Sequence, residues 1–431
     1  MRNLFTRKVA VVALVLAAVA MVAALVFAQT DEVVVEADGE VTLGFAASLS
    51  GDTAPFGIDI QRGVELAMED RPTVMVGEAE FSVMVDSQDS ACNAETGQAV
   101  ANRFASDENI VGVIGHMCSS SCTAAAPIYD SSGLSMISPS CTAPNLTQQG
   151  FNSFNRAVVS DAVQGPAAAQ FIFENLGITR IATVHDGSAY GEGLVGVVAP
   201  EFEAIGGEVV AQDAINVGDQ DFRSLLEDFA AAEPELVYFV GFPAEGSLLV
   251  QQLADAGLED VIFMSADGLQ GPEFIDLAGD ASEGVYTSVA IPAANEDLEA
   301  FLERYVEVYE EEPPGPYNSN GYDAYNLFLD AIEATATVGD DGNLVISRAA
   351  IQEYLRSFEE FPGLTGVLTA DGTGETASLA VGFFIVEDGE NVEVTVLGGE
   401  DEMMDDEMME EEEMGEEAEM EEPAATEEAE G

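Results

Sequence analysis

The sequence predicts an α/β protein of two Rossmann-like lobes, each a parallel sheet wrapped by helices. Three observations carry that reading. Short, wholly apolar runs such as Val111 to Gly115 and Leu134 to Ser138 have the composition of strands buried on both faces. Stretches with helical spacing separate them. The alternation then restarts after Phe154, as a second α/β unit of similar plan. Apolar residues make up 47% of the 431 positions, enough to fill the cores of two or three units.

In chain order, residues 1–28 read as an export signal. Arg2, Arg7 and Lys8 precede an unbroken apolar run from Val9 to Phe27, and Val26-Phe27-Ala28 places small residues at the −3 and −1 positions of a cleavage site. The alternative is a retained membrane anchor, since a run of that length nearly spans a bilayer. No cysteine lies near the cut, so a lipid anchor is not expected. Export implies an oxidising compartment. Residues 29–40 are expected to form a linker.

The first unit follows as strand Val41 to Leu49, helix Gly57 to Glu69, strand Phe81 to Val85, helix Glu95 to Ala105, strand Val111 to Gly115, helix Ser120 to Tyr129 and strand Leu134 to Ser138. The second has helices at Gly165 to Asn175, Gly191 to Ile205, Phe222 to Ala232 and Glu245 to Ala256. Its strands are expected at Arg180 to Val184, Glu208 to Ala214, Leu236 to Val240, Val261 to Ser265 and Gly284 to Ala290. Two long helices come next, Glu296 to Glu311 and Ser319 to Thr337, divided by the helix-breaking Pro313-Pro314. Ser347 to Phe358 and a β-rich end, Gly366 to Val396, close the folded part. From Glu400 to Gly431 the chain holds 18 acids, no basic residue and six methionines, a composition too charged to bury a core, so a disordered tail is expected.

The charge excludes whole classes of function. With 81 acidic and 12 basic residues the formal charge is −69, so a polyanion such as nucleic acid would meet a field of its own sign. Without the export signal 81 acids face nine arginines and no lysine; without the tail as well, 63 acids face the same nine. Such a surface repels itself unless salt screens it or low pH neutralises it, which points to a salty or acidic habitat. Only His116 and His185 exist, so a histidine-built metal centre is not expected, nor is any other metal or cofactor.

In open parallel sheets, ligands sit beyond the carboxyl ends of the strands. Polar loops stand at those places: His116-Met117-Cys118-Ser119-Ser120-Ser121 opening a helix, Pro139-Ser140-Cys141-Thr142-Ala143-Pro144, His185-Asp186-Gly187-Ser188-Ala189-Tyr190, Gly241-Phe242 and Ala266-Asp267-Gly268. A helix start rich in serine offers free N–H groups and a favourable dipole to an anion such as a carboxylate. Ser119, Thr142 and Asp267 also suit local caps and turns, Phe56 and Phe242 suit a core, and Asp161 suits a helix cap.

Together these segments resemble the periplasmic branched-chain amino-acid binding proteins of ABC importers, of the type I binding-protein fold. The likeness runs from about Val41 to Asp388. It is densest in Val111 to Ser121, in Met136 to Pro144, in Val184-His185-Asp186 with Tyr190 to Gly193, and in Asp161 with Gln164-Gly165-Pro166. The resemblance implies that Ser119 holds a ligand's α-carboxylate, that the Ser140 carbonyl and the Thr142 hydroxyl take its α-ammonium, and that Asp267 is the ammonium's counter-charge. Tyr190 and Phe242 would close over the ligand and Phe56 would line the side-chain pocket. The family usually has glutamate at Asp267 and tyrosine at Phe242 and Phe56, so this site is more apolar and differently shaped. The resemblance also implies a Cys92–Cys118 disulfide, closing a loop worth roughly 3–4 kcal/mol. Cys122 and Cys141 are then expected to pair, although four cysteines allow three connectivities.

The expected protein is thus an exported, monomeric receptor whose lobes are hinge-joined by three crossovers. Its parts are 41–159 and 290–368 in lobe 1, and 160–289 and 369–399 in lobe 2. Its partners would be a small amino acid and the permease subunits of an ABC importer. A receptor for another solute, such as an amide or aromatic acid, and a ligand-sensing module coupled to a signalling partner are the alternatives. An enzyme is not expected: exported cysteines are more often bridged than reactive, and no Gly-x-Ser-x-Gly elbow or glycine-rich phosphate loop occurs.

Overall fold

A computed structural model describes residues 31–292, 295–376 and 380–398. The expected export signal (1–28) and acidic tail (400–431) lie outside the described residues. No helix among the described residues is long and apolar enough to cross a membrane.

The chain builds two sheets. The first runs, in spatial order, Thr73–Val76, Ala79–Asp89, Glu40–Ala47, Ile110–Gly115, Ser135–Ser138 and Phe154–Arg156, parallel throughout except for the outer hairpin. The second runs Glu390–Leu397, Val381–Glu387, Tyr286–Ala290, Ile262–Ser265, Leu236–Val240, Arg180–His185 and Glu208–Ala214. Its first two strands are the last in sequence and pair antiparallel; the other five are parallel. Ile110–Gly115 and Leu236–Val240 are buried at every position, which is why they read as unbroken apolar runs: helices cover both faces of each sheet.

Three crossings join the lobes, between Arg156 and Asp161, between Ala290 and Glu296, and between Leu368 and Val381. Arg156 ties the first to the third. Its N–H donates to the Gly374 carbonyl at 2.9 Å, its guanidinium meets Glu375 at 2.8 Å, and the Thr376 hydroxyl donates to its carbonyl. The Arg156 side chain is fully buried, so its charge needs that partner and the Cys141 and Ala143 carbonyls it also reaches.

The helices Glu296–Tyr309 and Asn318–Thr335 return to the first lobe. Asn318–Thr335 lies so near Ala54–Asp70 that a Cβ on Gly63 would stand 1.9 Å from the Asn318 carbonyl oxygen. Two expectations change. Residues 29–40 are not simply a linker, because Glu32–Val35 pairs antiparallel with Leu344–Ser347, burying Val33 and Val35 and exposing Val34. Ser160, not Asp161, caps the helix Asp161–Gln170: its extended backbone lets its hydroxyl accept the Ala162 N–H at 3.2 Å.

The nine arginines are all engaged. Seven pair with acids, and Arg348 and Arg356 donate to backbone carbonyls. The remaining acids therefore repel one another with only salt to screen them. Inside the first lobe, burial pushes Asp59 up to about 7 and Asp323 up to about 6, each against hydrogen bonds that pull it down.

Both groups are protonated more readily folded than unfolded, so their stability contribution is full below about pH 4 and is lost as pH rises through about 6 to 7. The unfolding midpoint should therefore be higher at pH 5 than at pH 8 in dilute buffer, and molar salt should narrow the gap. Asp59→Asn should remove about 1 kcal/mol of that dependence per pH unit between pH 4 and 7. Urea melts across pH and salt measure both.

Candidate functional site

The strand ends of both sheets face one another, and the loops after them line a small cavity. Four of its lining residues come from the serine and proline-flanked loops of lobe 1. The buried strand Ile110–Gly115 delivers Met117 and Cys118, after which helix Ser119–Ser132 begins. Cys118 occupies the cap position in extended conformation with no side-chain cap bond, so the first-turn N–H groups at Ser119 are left for another acceptor. Ser140 enters from the loop after Ser135–Ser138, its hydroxyl donating to the Met117 carbonyl at 2.8 Å. Ser138 binds the two loops together: it donates to the His116 carbonyl at 2.7 Å and accepts the Cys141 N–H at 2.9 Å.

Two disulfides brace this end. Cys92–Cys118 and Cys122–Cys141 have Cα separations of 5.2 and 6.6 Å. They fix the serine loop to the start of helix Ala94–Ser106 and helix Ser119–Ser132 to the Ser140 loop. His116 is committed to the interior: its Nε2 lies 3.0 Å from the Tyr129 hydroxyl, and burial lowers its pKa to about 3, so it stays neutral.

Lobe 2 supplies the opposite wall. Ser188 caps helix Ala189–Ala204 by accepting the Gly191 N–H at 3.0 Å, and Tyr190 in its first turn projects into the cleft. Phe242 stands at the cap position of Pro243–Gln252 and contacts Tyr190 and Phe56, with ring centroids 5.8 and 6.4 Å away. After Ile262–Ser265 the chain turns tightly at Asp267–Leu269. A Cβ on Gly268 would lie 2.2 Å from the Gly241 carbonyl oxygen, so only glycine lets this turn pack there.

Asp267 is the negative pole, and it is fully buried. Its Oδ1 accepts from Gln164 Nε2 at 3.1 Å and from the Tyr190 hydroxyl at 2.9 Å; its Oδ2 accepts from the Tyr317 hydroxyl at 2.7 Å. Burial raises its pKa, while the Tyr317, Tyr190 and Gln164 hydrogen bonds pull it back. Burial and the same carboxylate push both tyrosine hydroxyls up, so they remain protonated donors. Among the described residues no cationic side chain lines the cavity. The positive pole is the helix start at Ser119, and the space between the poles is walled by Phe56, Phe242 and Met117.

Of the residues singled out in the sequence, Ser119, Ser140, Tyr190, Asp267, Phe242 and Phe56 come together around this cavity. Thr142 stands apart from the lining and its hydroxyl is buried in the loop behind it, with its carbonyl accepting the Asp161 N–H at 2.9 Å. Sequence reasoning passed over Tyr317, which follows a proline-rich turn some fifty residues after Asp267, and gave no role to Gln164. The strand-end rule that found the other loops does not reach either: one precedes a helix of the first lobe and the other sits inside a helix of the second.

Residues 40–390 match the family model described as periplasmic binding protein. The leucine-, isoleucine-, valine-, threonine- and alanine-binding protein of Pseudomonas aeruginosa is 33% identical over 68% of this chain and 78% of its own length. The Leu/Ile/Val-binding protein of Escherichia coli is 30% identical over 80% of this chain and 90% of its own. Among solved structures, a leucine binding protein from Thermotoga maritima superposes with a TM-score of 0.76 at 29% identity, covering 84% of this chain and 99% of that one. A solute binding protein from R. palustris in complex with benzoate shares the fold at a TM-score of 0.72 and 21% identity, covering 84% of this chain and 98% of that one.

The Gly268 contact is testable alone. Gly268→Ala should cost about 1–3 kcal/mol, the range for overpacking, as the Asp267 turn is forced away from Gly241. A shift of the urea midpoint with an unchanged slope would register it.

Proposed function

We propose that this chain, which belongs to the periplasmic binding protein family, is the extracytoplasmic receptor of an ABC importer, and that it binds a zwitterionic amino acid with a branched aliphatic side chain. One observation carries this reading: a single small cavity holds an uncapped helix start at Ser119 and a buried carboxylate at Asp267, with aromatic walls between them. An α-carboxylate suits the first, where N–H groups and the Ser119 hydroxyl donate. An α-ammonium suits the second, because a buried carboxylate gains most from a charged partner. A side chain without polar groups suits Phe56 and Phe242, which carry no hydroxyl.

The cavity is small and bounded by both lobes, which fits a single amino acid better than a peptide. The Ser140 carbonyl completes the proposed ammonium seat, and Thr142 supports that loop from behind the wall. An aromatic acid such as benzoate is the second reading, since a neighbour of the same fold was solved with it. It fits less well here, because it has no cation to set against Asp267. As a receptor the chain would be exported, monomeric and hinged between its lobes, closing over the ligand and delivering it to membrane permease subunits.

Titration calorimetry with leucine, isoleucine, valine, alanine, phenylalanine and benzoate tests this, at low and high salt so that an unfolded acidic chain is not mistaken for a non-binder. Branched aliphatic amino acids should bind best. Ser119→Ala should weaken them about tenfold and Asp267→Ala by about a hundredfold or more, in line with hydrogen bonds to charged groups. Benzoate binding that survives Asp267→Ala, with no heat from the amino acids, would favour the second reading.

A further inference from the structure

The Asp267 carboxylate sits where a charge is hard to keep. It is fully buried, and it lies near Asp161, also fully buried, whose carboxyl is pushed well up by burial and by the Asp267 charge and so adds no charge of its own. Arg156, the buried cation that acts on Asp161, is already paired with Glu375. The other groups around the two acids are neutral: Gln164 beside Asp161 on helix Asp161–Gln170, Tyr190 on helix Ala189–Ala204, Tyr238 on strand Leu236–Val240, and Tyr317. Hydrogen bonds alone therefore stabilise the charged form until a cationic ligand arrives.

Those bonds are of two kinds. Gln164 and Tyr190 belong to the same lobe as Asp267 and donate to its Oδ1. Tyr317 belongs to the other lobe: its ring packs in the first lobe's core, and its N–H donates at 2.9 Å to Asp59, which also accepts from Asn318 Nδ2 at 2.9 Å. From that anchored position its hydroxyl crosses the cleft to Oδ2 at 2.7 Å, the shortest of the three bonds.

We propose that Tyr317 is a positioning residue of the amino-group seat: its hydroxyl, reaching across the cleft, aims the Asp267 carboxylate and holds it in its charged form, so that the seat is complete only when the lobes meet. The inference rests on the amino-acid reading above. It couples recognition of the ligand's amino group to closure, because an open cleft withdraws one of the three donors that hold the Asp267 carboxylate. A neutral acid has lost the charge that an ammonium seeks.

The test is leucine titration of the purified full chain and its Tyr317→Phe variant from pH 5 to 9 at fixed high salt, with circular dichroism showing that both are folded. The variant keeps the ring and loses one donor. Leucine should bind the variant more weakly on the acid side, by up to about tenfold at the acid end of the range, the size expected for a hydrogen bond to a charged group. The sign on pH is fixed: binding needs the carboxylate, so it fades as pH falls through the Asp267 pKa, and losing a donor raises that pKa. The acid limb should therefore move up by about one pH unit, and the two proteins should converge near pH 9. Unchanged binding, or equal weakening at every pH with an unmoved limb, would mean that the Tyr317 hydroxyl does not hold the carboxylate in its charged form, and would overturn the proposal while leaving the amino-acid reading intact. No binding of any amino acid by the folded wild type would overturn both.

Discussion

A buried carboxylate between two lobes is the constraint on which the rest of the site depends. Taking Asp267 out of water costs several kcal/mol unless donors replace its hydration, and the protein draws those donors from three separate elements. Each in turn must be held in place. Ser188 caps the helix that presents Tyr190, and Asp59 holds the turn that presents Tyr317. Gln164 has its amide against both Asp267 and Ser288, which ties it to the strand beside the Asp267 loop. The cavity is thus built outward from one charge.

Among the described residues, the opposite pole is made without any cation. A helix start, left uncapped and stiffened by two disulfides, offers backbone N–H groups where an arginine would serve in other proteins. This economy suits a chain whose nine arginines are all engaged elsewhere, one of them buried at the junction of the lobes. It also suits the strongly negative field, which disfavours the approach of anions but exerts little net force on a zwitterion. Under the proposed function, the acid-rich surface and the cation-free site are compatible for that reason.

Local pattern made much of this legible in the sequence. Buried parallel strands are apolar without interruption, and helices repeat at 3.6 residues, so the alternation that builds two sheets is written in order along the chain. Because ligands in such sheets gather at the carboxyl ends of strands, the loops bearing Ser119, Ser140, Tyr190, Phe242 and Asp267 were identifiable before any coordinates, and the family resemblance added Phe56. The strand Glu32–Val35 was not, since four residues alternating about one exposed valine carry too little signal without their partner at Leu344–Ser347.

What only the tertiary structure decided is who meets whom across the cleft. That Tyr317 donates to Asp267, that Asp59 anchors Tyr317, and that Thr142 lies behind the wall all depend on how distant segments are packed within and between the lobes. Those contacts join residues from about fifty to more than two hundred and fifty positions apart, and no periodicity spans such distances. The sequence by itself determined the elements, the loops and the charges; the relative placement of the lobes, set by packing and by the crossings tied at Arg156, turned them into a site.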